Sequence, residues 1–355
     1  MTAELFTTSI DVIKEHQHPS GAYPASPTFP TYHYCWFRDG SFIAYAMDLV
    51  GEHESAARFH DWVADTILPR RGIVEGALQK LDVGTGLEEG DLLHTRYALD
   101  GTQGKEDWPN FQLDGFGTWL WALHKHSQMS EKDLKPTWQE AARLAARYIH
   151  ALWDHPCYDS WEEFPRQIHS YTLASICAGL RTAPALGAGT YPETEQVITD
   201  YLLEKGTKDE RFTKYIGSPR VDANLLGLST PYRVVKPDHP LMVNTVQDIE
   251  DQLRSGEGVR RYPADSYYGG GEWILLTAWL GWYFTEVGET DKARELRGWI
   301  EKQADKEGML PEQVPVNLNQ PDKYKHWVDK WGNIAQPLLW SHAKYIILTR
   351  KIQDR

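Results

Sequence analysis

Cysteine is scarce in this sequence. The 355-residue chain holds three, Cys35, Cys157 and Cys177, at irregular spacing and with no C-x-x-C pair, which argues against a disulfide framework and for small buried thiols. Positive charge is also short. Against 50 Asp and Glu stand 37 Lys and Arg, a formal net charge of −13, so no basic face is expected for nucleic acid or an anionic membrane. No apolar run approaches membrane-spanning length, and the opening residues MTAELFTTSIDVIKEHQ lack a basic stretch leading into an apolar one. A soluble, cytoplasmic protein is expected, with a neutral or cationic small molecule as its partner; the sequence says nothing of oligomeric state. Phosphate-loop, nucleophile-elbow and dinucleotide fingerprints are missing, as is H-E-x-x-H. His124 and His126 stand two apart, on different faces of a helix, so neither zinc nor any other metal or cofactor is expected. "YYGGGEW" is rich in glycine, but no lysine follows to meet a phosphate.

Aromatic residues are plentiful instead: 15 Trp and 18 Tyr. Such rings fill large cores, and they also form the flat platforms on which sugars rest. Helical periodicity dominates and strand-like alternation is rare. The spacing predicts a helix over 130–152 with Ser130 as its N-cap, and others near 3–15, 40–50, 53–68, 114–127, 168–182, 191–205, 219–228, 243–254, 272–287, 290–304 and 333–350. The turns "VGEHES" and "VGETDK" look alike. In each, a glycine ends an apolar helix and an acidic residue opens a more polar one. No linker divides the chain. The expectation is therefore one domain, 1–355, all-α: a closed ring of about twelve helices in inner–outer pairs. Long loops, 18–38, 81–111, 155–166, 228–242, 255–271 and 307–332, would gather at one end of the inner helices.

Those loops hold the chemistry-bearing residues. Arg38 beside Asp39 offers the paired donors and acceptors that vicinal hydroxyls require, though Asp39 could equally N-cap the helix at 40–50. Asp114, read alone, is the N-cap before "GFGTWLWAL". "YDSWEEFP" sets Glu162 and Glu163 directly after Trp161, either as a solvated helix approach or as a carboxylic acid lying against a ring. Glu312, in "GMLPEQV", is the other loop carboxylate that could complete the acid and base pair of a glycosidase.

Taken in order, WFRDGSF, QLDGFG, SWEEF, RRYP-x-DSYYGGGEW and LPEQ resemble glycoside hydrolase family 15, the glucoamylase and exo-α-glucosidase family, over nearly the whole chain. The resemblance implies an (α/α)6 barrel and a carbohydrate substrate. It implies Glu162 as general acid and Glu312 as general base, with Tyr32 contacting the base and its water. Arg38 and Asp39 would hold the terminal glucose, with Arg261 a further sugar-binding arginine. Trp36, Trp108, Trp161, Tyr267 and Trp273 would form aromatic walls, Asp114 would serve the second motif, and Asp159 and Glu163 would support the acid. Two departures stand out. Leu113 occupies the place of an arginine in fungal members, which leaves contacts beyond the cleaved bond unassigned, and Glu272 replaces a proline. No N-terminal β-sandwich or starch-binding module is expected, which favours short oligosaccharides as substrate.

The expected reaction is inversion. Glu162, kept protonated by burial against Trp161 and by the charges of Glu163 and Asp159, would protonate the glycosidic oxygen. Glu312 would activate water on the opposite face, with the two carboxyl groups roughly 6.5–9.5 Å apart. The linkage, α-1,4, α-1,6 or α,α-1,1, is not legible. A trehalase, a disaccharide phosphorylase or a non-catalytic sugar-binding protein remain the rival readings.

Overall fold

The computed structural model describes residues 2–355. Thirteen α-helices carry the fold among these residues. They are α1 (Thr2–His16), α2 (Phe37–Leu49), α3 (His53–Ile67), α4 (Arg71–Asp82), α5 (Asp114–Met129), α6 (Pro136–Leu152) and α7 (Ser170–Thr182), followed by α8 (Pro192–Lys205), α9 (Pro240–Leu253), α10 (Ile274–Glu286), α11 (Thr290–Glu301), α12 (Pro321–Trp331) and α13 (Leu339–Gln353). Six two-residue strands, β1 (Cys35–Trp36), β2 (Arg96–Tyr97), β3 (Thr207–Lys208), β4 (Arg211–Phe212), β5 (Glu272–Trp273) and β6 (Gln313–Val314), pair antiparallel as β1–β2, β3–β4 and β5–β6. No described helix is long and apolar enough to cross a membrane.

Along the chain, helices buried on nearly every side alternate with helices buried on one face. α2, α5, α7, α10 and α13 are of the first kind; α1, α3, α6, α8, α9 and α11 are of the second. A helix apolar all round must be enclosed by its neighbours, whereas an amphipathic one can face water. The two look-alike turns behave as their sequences imply. Gly51 and Gly288 adopt φ of 82° and 84°, and in each turn the next amide bonds back five residues, Glu52 N to Met47 O and Glu289 N to Phe284 O, both 2.9 Å. That left-handed exit closes the helix with few orphaned carbonyls and is easiest for glycine.

The chain packs as two compact units. One comprises Gln17–Tyr23 and Tyr34–Gly206; the other comprises α1, Pro24–His33 and Thr207–Arg355. The first is organised around α2, α5 and α7. Where α5 meets α7 the backbones touch: a Cβ on Gly117 would stand 2.3 Å from the Ser175 carbonyl oxygen, and one on Gly179 would stand 2.8 Å from the Gly117 Cα. The second unit is organised around α10 and α13. In it His342, buried on α13, accepts from the Leu310 amide through Nε2 (3.0 Å), so its Nδ1 carries the proton and donates to Ser9 Oγ (2.9 Å). Burial pushes this imidazole down to about 3, which keeps it a neutral acceptor.

Several expectations need correction. Ser130 does not N-cap a helix; it is the C-cap of α5, and α6 begins at Pro136, with Lys135 in the N-cap place. Glu131 takes a φ of 52° there, which breaks the helix, and a proline at the first helical position needs no amide partner. The helix expected at 219–228 is a six-residue 3-10 turn, Ala223–Leu228, capped by Asp222 through the Asn224 amide. The last helix starts after Pro337 rather than at 333. Two helices were not foreseen. α4 carries two glycines and buries only Val74 and Ala77, and α12 buries none of its residues fully.

Gly117→Ala is expected to lower the stability of the protein by about 1–3 kcal/mol, because backbone cannot yield to the added methyl. Gly76→Ala, on α4 with open space around it, is expected to raise stability by about 0.5–1 kcal/mol. Urea unfolding monitored by circular dichroism measures both.

Candidate active site

In the first unit, the β1–β2 pairing sets Cys35 opposite Tyr97 and Trp36 opposite Arg96. The chain then turns from extended Trp36 straight into α2, so Arg38 and Asp39 fall in the first helical turn. Asp39 is thus inside the helix and is not its N-cap. Asp114 likewise opens α5 without capping it and is fully buried. Arg38, 3% exposed, reaches three carboxylates: Asp39 at 3.0 Å, Asp114 at 3.2 Å and Glu162 at 4.0 Å. It also donates to Gln112 Oε1 at 3.0 Å. Burial alone would lower the guanidinium, yet Asp39, Asp114 and Glu162 outweigh it, so Arg38 stays charged.

Glu162 sits in a tight turn that Asp159 organises. The buried Asp159 carboxylate accepts from the amides of Trp161 and Glu163, both at 2.9 Å, while the Glu162 amide donates to the Asp159 carbonyl at 3.0 Å. Within that turn Glu162 and Phe164 hold φ of 63° and 52°, a conformation disfavoured for side chains with a Cβ and here held by the surrounding bonds. The Glu162 carboxylate receives the Trp36 indole N–H at 2.8 Å and the Gln112 amide at 3.5 Å. Burial lifts this carboxyl from its ordinary value to about 7, with Asp39 adding to the rise and Arg38, Gln112 and Trp36 opposing it. Asp39 is itself lifted to about 6, chiefly by burial and further by Asp114. The charge that raises Glu162 most is therefore that of Asp39, where the sequence pointed to Glu163 and Asp159. Its indole partner is Trp36, a bond that the sequence reading did not foresee.

Trp36 and Trp108 stand edge to face at 6.1 Å. Beside them lies a residue that sequence reasoning missed. Arg96, almost fully buried, sits over the rings of Trp108 (3.9 Å) and Tyr34 (4.0 Å), an arrangement that favours a cation stripped of water. No local signal marks it.

In the second unit, β5 pairs with β6 so that Trp273 faces Gln313, which brings Glu312 to the N-terminus of α10; the Ile274 amide donates to its carbonyl at 3.3 Å. Residues 310–312 are pinned by His342, by Ser341 Oγ on the Pro311 carbonyl (2.8 Å) and by the Ala335 carbonyl on the Glu312 amide (2.9 Å). Tyr32 donates its hydroxyl to Glu312 Oε1 at 3.1 Å. Since that proton is committed, Tyr267 must be the donor in its 2.7 Å bond to Tyr32. Burial first, and then the Glu312 charge, raise the Tyr267 phenol well above its usual range. Arg261 is held by Asp265, Nε to Oδ2 at 2.8 Å, and lies over Trp273 and Tyr267 at 5.1 and 5.3 Å. Asp265 was overlooked, although it stands four residues after Arg261 in the quoted motif. Glu272 is structural: it accepts from the Gly258 amide (3.1 Å) and the Asn317 side chain (3.0 Å). All three cysteines are buried free thiols.

The family model "Glycosyl hydrolases family 15" matches residues 4–297. Isomaltose glucohydrolase of Kribbella flavida is 41% identical over 98% of this chain and 92% of its own, a span that must include residue 312. A solved glycosidase variant in complex with glucose superposes with a TM-score of 0.95 at 40% identity, covering 99% of this chain and 97% of that one. A bacterial glucoamylase complexed with acarbose gives 0.77 at 19% identity, covering 99% and 56%. The fold class is thus the all-α, (α/α)6 type of these enzymes.

With Glu162 as the expected general acid, two substitutions should move the alkaline limb of the kcat/KM profile in opposite directions, because that limb would report loss of its proton. Asp39→Asn removes the charge that raises Glu162, so the limb moves to lower pH. Trp36→Phe removes a bond to the ionised form, so the limb moves to higher pH. Steady-state rates across pH 5–9 check both; movement in the same direction would contradict the assignment.

Proposed function

The chain belongs to glycosyl hydrolases family 15, and from that premise we propose that it is an inverting exo-α-glucosidase releasing β-glucose from the non-reducing end of short α-gluco-oligosaccharides, with isomaltose-type α-1,6 linkages preferred. The observation that carries this reading is the state of Glu162. A carboxyl lifted to about 7 by burial and by Asp39 is still substantially protonated near neutral pH, which is what a general acid needs.

In this reading Glu162 gives its proton to the glycosidic oxygen as the bond to the anomeric carbon breaks. Glu312 takes a proton from the water that attacks that carbon. The sugar leaves with inverted configuration. Tyr32, bonded to Glu312 Oε1, keeps the base oriented, and the Asp265-anchored Arg261 with Trp273 and Tyr267 serves the same half of the chemistry. Arg38 and Asp39 tether the terminal glucose, so binding energy is spent on orientation. Asp114 fixes the Arg38 guanidinium, while Trp36 and Trp108 offer apolar faces to the ring. Asp159, Trp161 and Glu163 hold the turn that presents Glu162. The preference for α-1,6 rests on the 41% identity to a protein named isomaltose glucohydrolase.

Glu312→Gln and Glu162→Gln are each expected to lower kcat on isomaltose by about 10²–10⁴-fold while glucose affinity, measured by calorimetry, stays within a few-fold. In the wild-type reaction, proton NMR should show the β-anomer of glucose before mutarotation. Near-normal turnover in Glu312→Gln, or α-glucose as the first product, would overturn the reading.

A further inference from the structure

At the opposite end of α2 and α5 from Arg38 and Asp114 lies a second cluster. Asp48, in the last turn of α2, has a fully buried side chain. Its Oδ1 is 2.7 Å from His53 Nδ1, at the start of α3, and 2.9 Å from His126 Nδ1, in the last turn of α5. The three donor atoms lie within 4.8 Å of one another. Among the described residues no Lys or Arg pairs with Asp48; the side chains that reach its carboxylate are the two imidazoles.

Three features call for a cation here. A buried carboxylate needs a compensating charge. Asp48 stands at a helix C-terminus, where the backbone carbonyls already make the potential negative, and His126 brings a second helix C-terminus to the same point. The donors, two imidazoles and one carboxylate, are those of a borderline divalent ion. We propose that Asp48, His53 and His126 form a structural site for one Zn2+-class ion, with water in the fourth position. His60 does not supply the fourth ligand: Trp119 donates its indole N–H to His60 Nδ1 (3.2 Å), which leaves the ring proton on Nε2. A tetrahedral ion needs donors about 3.3 Å apart, so both imidazoles draw back from the Asp48 Oδ1 by roughly half an ångström on binding. His53, whose side chain is 30% exposed, gives the ion its way in.

The ion ties together the far ends of the two helices whose near ends share the Arg38–Asp114 pair. Asp48 lies nine residues along α2 from Asp39, about 14 Å of helix, so the ion adds rigidity and takes no part in bond breaking. This inference stands independently of the proposed substrate.

The test uses the purified full chain, stripped with a chelator and then given Zn2+ or Co2+. Bound metal after gel filtration should reach one ion per chain, Tm should rise, the Co2+ form should show tetrahedral d–d bands, and kcat should stay unchanged. His53→Gln, at a partly exposed position, should fold normally and bind Zn2+ at least about tenfold more weakly. No uptake by the stripped protein, or equal uptake by His53→Gln, would overturn the proposal.

Discussion

One guanidinium shared among three carboxylates is the constraint on which the first unit of this protein depends. Arg38 cannot neutralise Asp39, Asp114 and Glu162 together. Besides burial, the surplus negative charge favours a carboxyl that keeps its proton. Asp39 and Glu162, lifted to about 6 and about 7, share that role, and Glu162 is the one placed in a loop. A lone Arg–carboxylate pair would have kept the acid ionised; an unpaired acid would have cost more to bury.

The backbone makes this crowding possible. β1 delivers Trp36 and then, without an intervening cap, the first turn of α2 delivers Arg38 and Asp39; α5 begins at Asp114 in the same way. The turn that presents Glu162 is strained, and the Asp159 carboxylate is what holds it. In the second unit α13 grips residues 310–312 through His342 and Ser341.

The sequence made the fold class legible because helical periodicity runs along most of the chain and its two glycine turns repeat one pattern. α4 and α12 were not legible. Neither has an apolar stripe wide enough to register, and α12 rests against Tyr267 and Tyr268 through Trp327 and Tyr324. At the site, ordered motifs located the residue types but not their couplings. Adjacency put Trp161 and Glu163 beside Glu162, whereas the indole and charge that act on it come from Trp36 and Asp39, more than a hundred positions away. Arg96 matters through two rings from separate loops, and Asp48, His53 and His126 come from three helices, so motif spacing that tests one helix at a time passes over them.

The most direct test is the ionisation of Glu162 itself. Carbon-13 NMR of glutamate-labelled protein, with Glu162→Gln to assign the signal, follows its carboxyl through pH. The account predicts a midpoint near 7, moving down in Asp39→Asn; a midpoint in the ordinary glutamate range of about 4.3 would contradict it.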